Sequence, residues 1–410
     1  LGKALGGGNV EVKTADEARL VCAALDKALS VEPIEEFDDK HNLHGVIALF
    51  QSVAAEPAYV VLKDQGLPRL RALTRRFQER RHVEADVILF ALKQLAMFGE
   101  AEDVKTIADI ARDPECARQW LWEMVFRQAA RHESFNLELV NGLREPLPDG
   151  FCRVAYLDFS SQQFRAGKIT EHPFDTPSGH QAVREWLESA DTEQSSYAVS
   201  ATACLPFLSA GFREPLLALA DKHPDPVVRI ESAWARAKLG EEAGFVRLVE
   251  YVRDPRTAER AARYLAELGA EERIPDTSRD PDFQALAGMA QWLAHPNEFG
   301  RMPDGIEIAL RRELFWPPTS DTRALWVLRY EYRVDDGSVD SGYGLFGSTT
   351  WAMLDDETKA GMIEPLDVYA LHCCWELESN EDPRAPKERS VAAGRRLLAE
   401  HNPEFRLQSV

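Results

Sequence analysis

Gly99-Glu100 is followed by apolar residues at helical spacing (Val104, Ile107, Ile110) and then by Arg112-Asp113-Pro114. Gly240-Glu241 opens the same series, through Val246, Val249 and Val252 to Arg253-Asp254-Pro255. A third Arg-Asp-Pro, Arg279 to Pro281, precedes a run containing Leu286, Met289 and Leu293. An internal repeat constrains the fold more than composition does, because such chains stack one supersecondary unit on the next. The unit is a helix closed by glycine, a turn, and a further helix after proline. Stacked units also move the functional expectation from catalysis towards binding.

The clearest copy begins at His223. Val227, Ile230, Trp234 and Ala237 fall on one helical face. Gly240 and Gly269 stand 29 residues apart, as do Pro226 and Pro255. Asp225-Pro226, Val228-Arg229, Ala233, Ala237 and Leu239-Gly240 resemble the HEAT-repeat family, strongly over 220–295, more loosely over 67–130 and weakly elsewhere. The resemblance implies a mainly α fold, an armadillo-like α-α superhelix (solenoid) with a concave groove. It is specific for architecture and nearly silent about function. Certain HEAT-like proteins are alkylpurine DNA glycosylases and others are bilin lyases, which supplies an enzymatic alternative.

Outside these stretches the pattern breaks. Thr14 with Glu17 forms a capping box ahead of the first helix. Residues 1–145 read as N-terminal helical repeats, with helices over 67–81, 83–98, 101–112 and 115–130. Residues 146–180 read as an irregular excursion in which 152–164, CRVAYLDFSSQQF, has strand character. Residues 181–315 read as HEAT-like repeats. Residues 316–410 read as an α+β cap region: a β-hairpin through ALWVLRYEYRV (324–334), then helices over 365–378 and 388–400.

The net charge of −20 disfavours broad binding to nucleic acid or anionic membrane. No segment approaches the ~20 apolar residues of a membrane span. The opening LGKALGGGNVEV, with one lysine and no apolar run, argues against a signal peptide and reads as a flexible lead-in. Six scattered cysteines without a CxxC pair point to reduced thiols and a cytoplasmic location.

Against the acidic background one segment is basic. Lys63, Arg69, Arg71, Arg75, Arg76, Arg80 and Arg81 face only Asp64 and Glu79. They form a candidate patch for phosphate or an acidic partner, with Trp120 and Trp122 as candidate anchors. The bland alternative is a helix face paired to acidic neighbours. Glu123 joins Trp120, Trp122 and the arginine helix as the nearest match to a glycosylase site.

A second candidate is a C-terminal pocket of Gly342, Gly344, Gly347, His372 and Glu376. Gly342 to Gly347 spells GxGxxG, with Asp367 twenty residues on, but lacks the strand–loop–helix context of a dinucleotide site. A glycine-rich loop between strands is the default. His372 and Glu376 stand at i and i+4, without a third ligand at a metal-binding distance. A core histidine beside buried thiols is the plainer reading. His41 and His44 pose the same question beside an acidic loop. No hydrolase, kinase, P-loop or metalloprotease signature occurs. The expectation is therefore a scaffold for a protein or peptide partner, with no catalytic residues, no metal and no cofactor. The alternatives are a HEAT-like enzyme and a small-molecule site in the C-terminal region.

Overall fold

A computed structural model describes residues 11–31, 43–53, 55–79, 84–189, 195–295, 297–334, 336–353 and 363–405. The protein is mainly helical, with one small antiparallel sheet towards the C-terminus. It divides into two units, Leu1–Arg229 and Ile230–Val410.

Among the described residues the first unit is built of helices, with a single parallel bridge between Val12 and Val53. Its helices are α1 (Ala15–Leu29), α2 (Leu43–Ala48), α3 (Glu56–Val61), α4 (Leu67–Gln78), α5 (Ala85–Phe98), α6 (Asp103–Ile110) and α7 (Pro114–Ala117). They continue with α8 (Trp122–Ala129), α9 (Glu133–Leu143), α10 (Gly150–Arg165), α11 (Pro177–Glu188), α12 (Ser195–Cys204) and α13 (Ala210–Ala220). Helix α14 (Pro226–Lys238) carries the chain into the second unit. There follow α15 (Glu242–Val252), α16 (Pro255–Glu267) and α17 (Pro281–Leu293), then strands β1 (Gly305–Trp316), β2 (Asp321–Arg333), β3 (Val339–Phe346) and β4 (Trp351–Met353). Helices α18 (Pro365–Ser379) and α19 (Val391–Ala399) complete it.

The repeated residues are helix punctuation. Gly99 and Gly240 take positive φ, 68° and 83°, after α5 and α14, a conformation that costs other L-residues roughly 1–2 kcal/mol. In each Arg-Asp-Pro the aspartate is an N-cap: Asp113, Asp254 and Asp280 accept from the backbone N–H groups of Glu115, Arg256 and Asp282. The proline occupies the first turn, where its missing N–H costs nothing.

Three readings from sequence are corrected. Residues 152–164 lie in α10 and are helical, not strand, which also puts regular structure into the 146–180 stretch. Cys152, Val154, Tyr156, Leu157 and Phe159 are all buried, and a helix apolar around most of its girth has no amphipathic period to read. The expected helix 115–130 is two, because Arg118 to Leu121 interrupt it. Strand β1 occupies the end of the stretch assigned to helical repeats.

The sheet is a meander of order β1-β2-β3-β4, with a shift in β1–β2 pairing between Ile308 and Leu310. β2 is buried on both faces. Leu325 and Val327 join Val368, Tyr369, Cys373 and Leu377 of α18 and Leu398 of α19 in one core. Trp326, Leu328, Tyr330 and Tyr332 join Ala285, Met289 and Leu293 of α17 in another. The sheet thus sits between helical layers, and α17 belongs both to the repeated helices and to the sheet's cover.

Candidate functional site

Helices α16 and α17 pack side by side in the second unit, joined through Glu271–Arg273 and Asp276–Arg279 turns. Between them lies a cleft of about 790 Å³, within the range of ligand sites. Ala258, Ala262 and Ala266 line it from α16, and Phe283, Ala287 and Gly288 from α17. Phe346, at the end of β3, approaches Gly288 so closely that an added Cβ there would stand 2.6 Å from its ring. Small residues open the cleft and aromatic rings bound it.

Its polar groups are Glu259, Arg263, Glu271, Ser278, Arg279 and Gln284. Arg263 lies 5.6 Å from the Tyr264 ring centroid. Arg279 donates to the Glu271 carbonyl at 2.8 Å, and Gln284 to the Ser278 carbonyl at 2.6 Å. Among the described residues Glu259, Arg263 and Arg279 have no ion-pair partner within 4.0 Å. Ser278 is buried, and its Oγ has no hydrogen-bond partner among the described residues.

The first unit has a smaller cavity, about 390 Å³, between α8, α10 and α12. Phe126, Phe159 and Phe207 line it with Glu123, Arg127, Asp158 and Arg165. Asp158 accepts from Ser200 Oγ at 2.9 Å. Burial pushes its carboxyl up to about 6, with Glu123 adding to the effect and Ser200 opposing it.

The arginine helix is largely engaged within the fold. Arg69 makes a bidentate bond to Asp26, at 2.8 and 2.7 Å. Arg71 grips the buried Asp103 at 2.6 and 2.9 Å and also pairs with Glu102. Arg76 is buried and donates to the Leu29 and Val31 carbonyls, the former at the end of α1. Arg75 is exposed; Arg80 and Arg81 lie outside the described residues. The two anchors part company. Trp122 is fully buried with Nε1 donating to the Cys116 carbonyl, whereas Trp120 is 63% exposed.

The C-terminal candidates are core. Gly342 and Gly344 lie within β3, with Gly347 immediately after it, so the GxGxxG is mostly strand and not a loop. Gly344 packs against Met289, whose flexible side-chain end would stand 2.6 Å from an added Cβ. His372 and Glu376 are buried on α18, and neither lines the two cavities described. Glu376 accepts from Trp316 Nε1 and from Ser348 Oγ. Burial opposes its charge, yet His372 and these donors hold it down to about 2. His372 Nε2 lies 3.3 Å from Glu376 but outside hydrogen-bond alignment, and burial lowers the imidazole's basicity. Asp367 is bound to Arg395.

His44 pairs with Asp86 at 3.0 Å, and His41 lies outside the described residues. Among the described residues no cluster of three or more metal-ligating side chains occurs, and no helix is long and apolar enough to cross a membrane. Sequence reasoning missed Asp158, Arg263 and Ser278. It had named Arg279 only as part of a turn, and Glu123 only beside the tryptophans. No family model, no curated protein and no solved structure matches this chain.

Proposed function

We propose that this chain is a non-catalytic binding scaffold, a HEAT-like solenoid that takes a protein or peptide segment into the groove between its helices. The observation that carries the proposal is the cleft between α16 and α17, with its alanine and glycine floor, aromatic wall and unpaired charged rim. The Asp-Pro caps and glycine helix ends support the HEAT-like part of it. Such a groove works by removing apolar partner surface from water, at roughly 25 cal/mol per Å², while its rim selects by charge. Six free, buried cysteines support a cytoplasmic location.

Filling the cleft is the test. Peptides selected by display against the intact protein should lose at least about tenfold in affinity, or 1.4 kcal/mol, for Ala262→Trp. A thermal melt run alongside checks that the variant is folded. Selected peptides that bind both proteins alike would remove the cleft from the proposal.

A second reading, an enzyme, is favoured by one observation. Asp158 sits at a cavity with a carboxyl poised at about 6, the range in which a side chain trades protons near neutral pH. In this reading Glu123, Arg127 and Arg165 face the substrate, and the chemistry is acid–base. Any activity found in a substrate screen should fall about a hundredfold or more in Asp158→Asn; an activity that the variant keeps belongs elsewhere.

A further inference from the structure

The charges at the α16–α17 cleft are set out along its length. Glu259 and Arg263 stand four residues apart on α16, one turn or about 6 Å along the axis. Beyond Arg263, past the end of α16, come Glu271, Ser278 and Arg279 at the turn. Arg279 is held there through the Glu271 backbone carbonyl and has no ion-pair partner among the described residues, so Arg263 and Arg279 outnumber the Glu271 carboxylate at this end.

Two neighbouring charges of opposite sign at i and i+4 ordinarily meet on a helix surface. Glu259 and Arg263 do not. A buried hydroxyl without a partner is also uncommon, because its lost hydration is left uncompensated. The cleft therefore carries acceptor and donor capacity that the fold leaves unused, over an apolar floor. Both signs are present, so a purely acidic or purely basic ligand would satisfy one half and be repelled by the other.

Resting on the binding reading above, we propose that the occupant is an amphipathic helical segment of a partner protein with an ordered pair of charges. Its apolar stripe lies on the alanine floor. An acidic side chain at the turn end meets Arg263 and Arg279. A basic side chain one turn away meets Glu259. The order of the two charges sets the direction in which the segment lies, as charge pairs do in paired helices.

The test uses the intact protein and three fluorescent alanine-rich helical peptides sharing two leucines at i and i+4. They differ only in the flanking pair: Glu then Lys, Lys then Glu, or Gln and Gln. Anisotropy titrations should separate the two charged orders by about three- to tenfold, because exchanging the order turns two attractive rim pairs into two repulsive ones. The double variant E259R/R263E should reverse the preference, and 0.5 M salt should shrink it. Equal affinity for all three peptides, in wild type and the double variant, with loss of binding in Ala262→Trp, overturns the ordered pair and leaves the cleft as a binding groove. Failure of every peptide to bind wild type overturns both.

Discussion

Asp103 shows how a basic patch legible in the sequence becomes structural once the chain folds. Its carboxylate is fully buried, and burial raises its proton affinity even with Arg71 beside it. Removing Arg71 would strand that charge. Arg71→Ala is expected to cost about 3–5 kcal/mol in chemical denaturation, the range for breaking a buried pair. Arg69→Ala should cost no more than about 1 kcal/mol, because Asp26 is 55% exposed and water can take the guanidinium's place. Equal losses would mean that burial is not what separates the two arginines. The sequence displays the arginines but not their partners, which come from α1 and from the start of α6. The same blindness hid the candidate site. Asp158 sits on a helix whose apolar girth reads as a strand. Arg263 differs in no local feature from other helix arginines, and Ser278 is conspicuous only through the bond it lacks.

At the scale of elements, local chemistry was much easier to read. Asp-Pro pairs and glycines act through their own backbone, so Asp113, Asp254 and Asp280 cap the helices that the repeat marks out. Asp254→Ala removes the α16 cap and is expected to lower stability by about 1 kcal/mol. Asp254→Asn, which keeps an accepting oxygen, should lose only a few tenths, and thermal melts can separate the two. A larger effect is expected at Gly244 on α15. A Cβ there would collide with the backbone of Ala233 and Ala237, so Gly244→Ala must push α14 and α15 apart, at roughly 1–3 kcal/mol. If Gly244→Ala melts with wild type, the close approach of those helices is not required. The buried side of α15 is Gly244, Leu248 and Val252, while Val246 is 49% exposed. Two overlapping apolar stripes can be drawn along this helix, and only a packed neighbour decides between them. The same limit explains β1 and the double-faced burial of β2: pairing partners lie across the sheet, beyond any local window.

For the whole molecule, the pH dependence of stability is set by a few buried groups against a background of −20. Glu231 of α14 accepts a hydrogen bond from Tyr264 of α16 and is pushed up to about 7, chiefly by burial, which Tyr264 and Arg260 only partly offset. Asp158 is pushed up to about 6. A carboxyl raised on folding adds stability that is complete below its unfolded value and is lost as pH rises through its folded value. His172 runs the other way. Burial lowers it from 6.5 to about 4, so its contribution is present above pH 6.5 and is lost as pH falls through 4. Between 4 and 6.5 the two kinds of group oppose each other and their effects blur. Above 6.5 His172 is mostly neutral in both states, and Asp158 is mostly ionised. Glu231 is then the one of these three groups whose folded form is still far from fully titrated. The cysteines, raised by burial, are common to wild type and carboxyl variants and cancel when these are compared. Melting temperatures should therefore fall more from about pH 6.5 to about pH 8 in wild type than in Glu231→Gln, whereas Asp158→Asn should follow wild type closely. A Glu231→Gln protein that loses as much as wild type over that interval would place the alkaline sensitivity in another group.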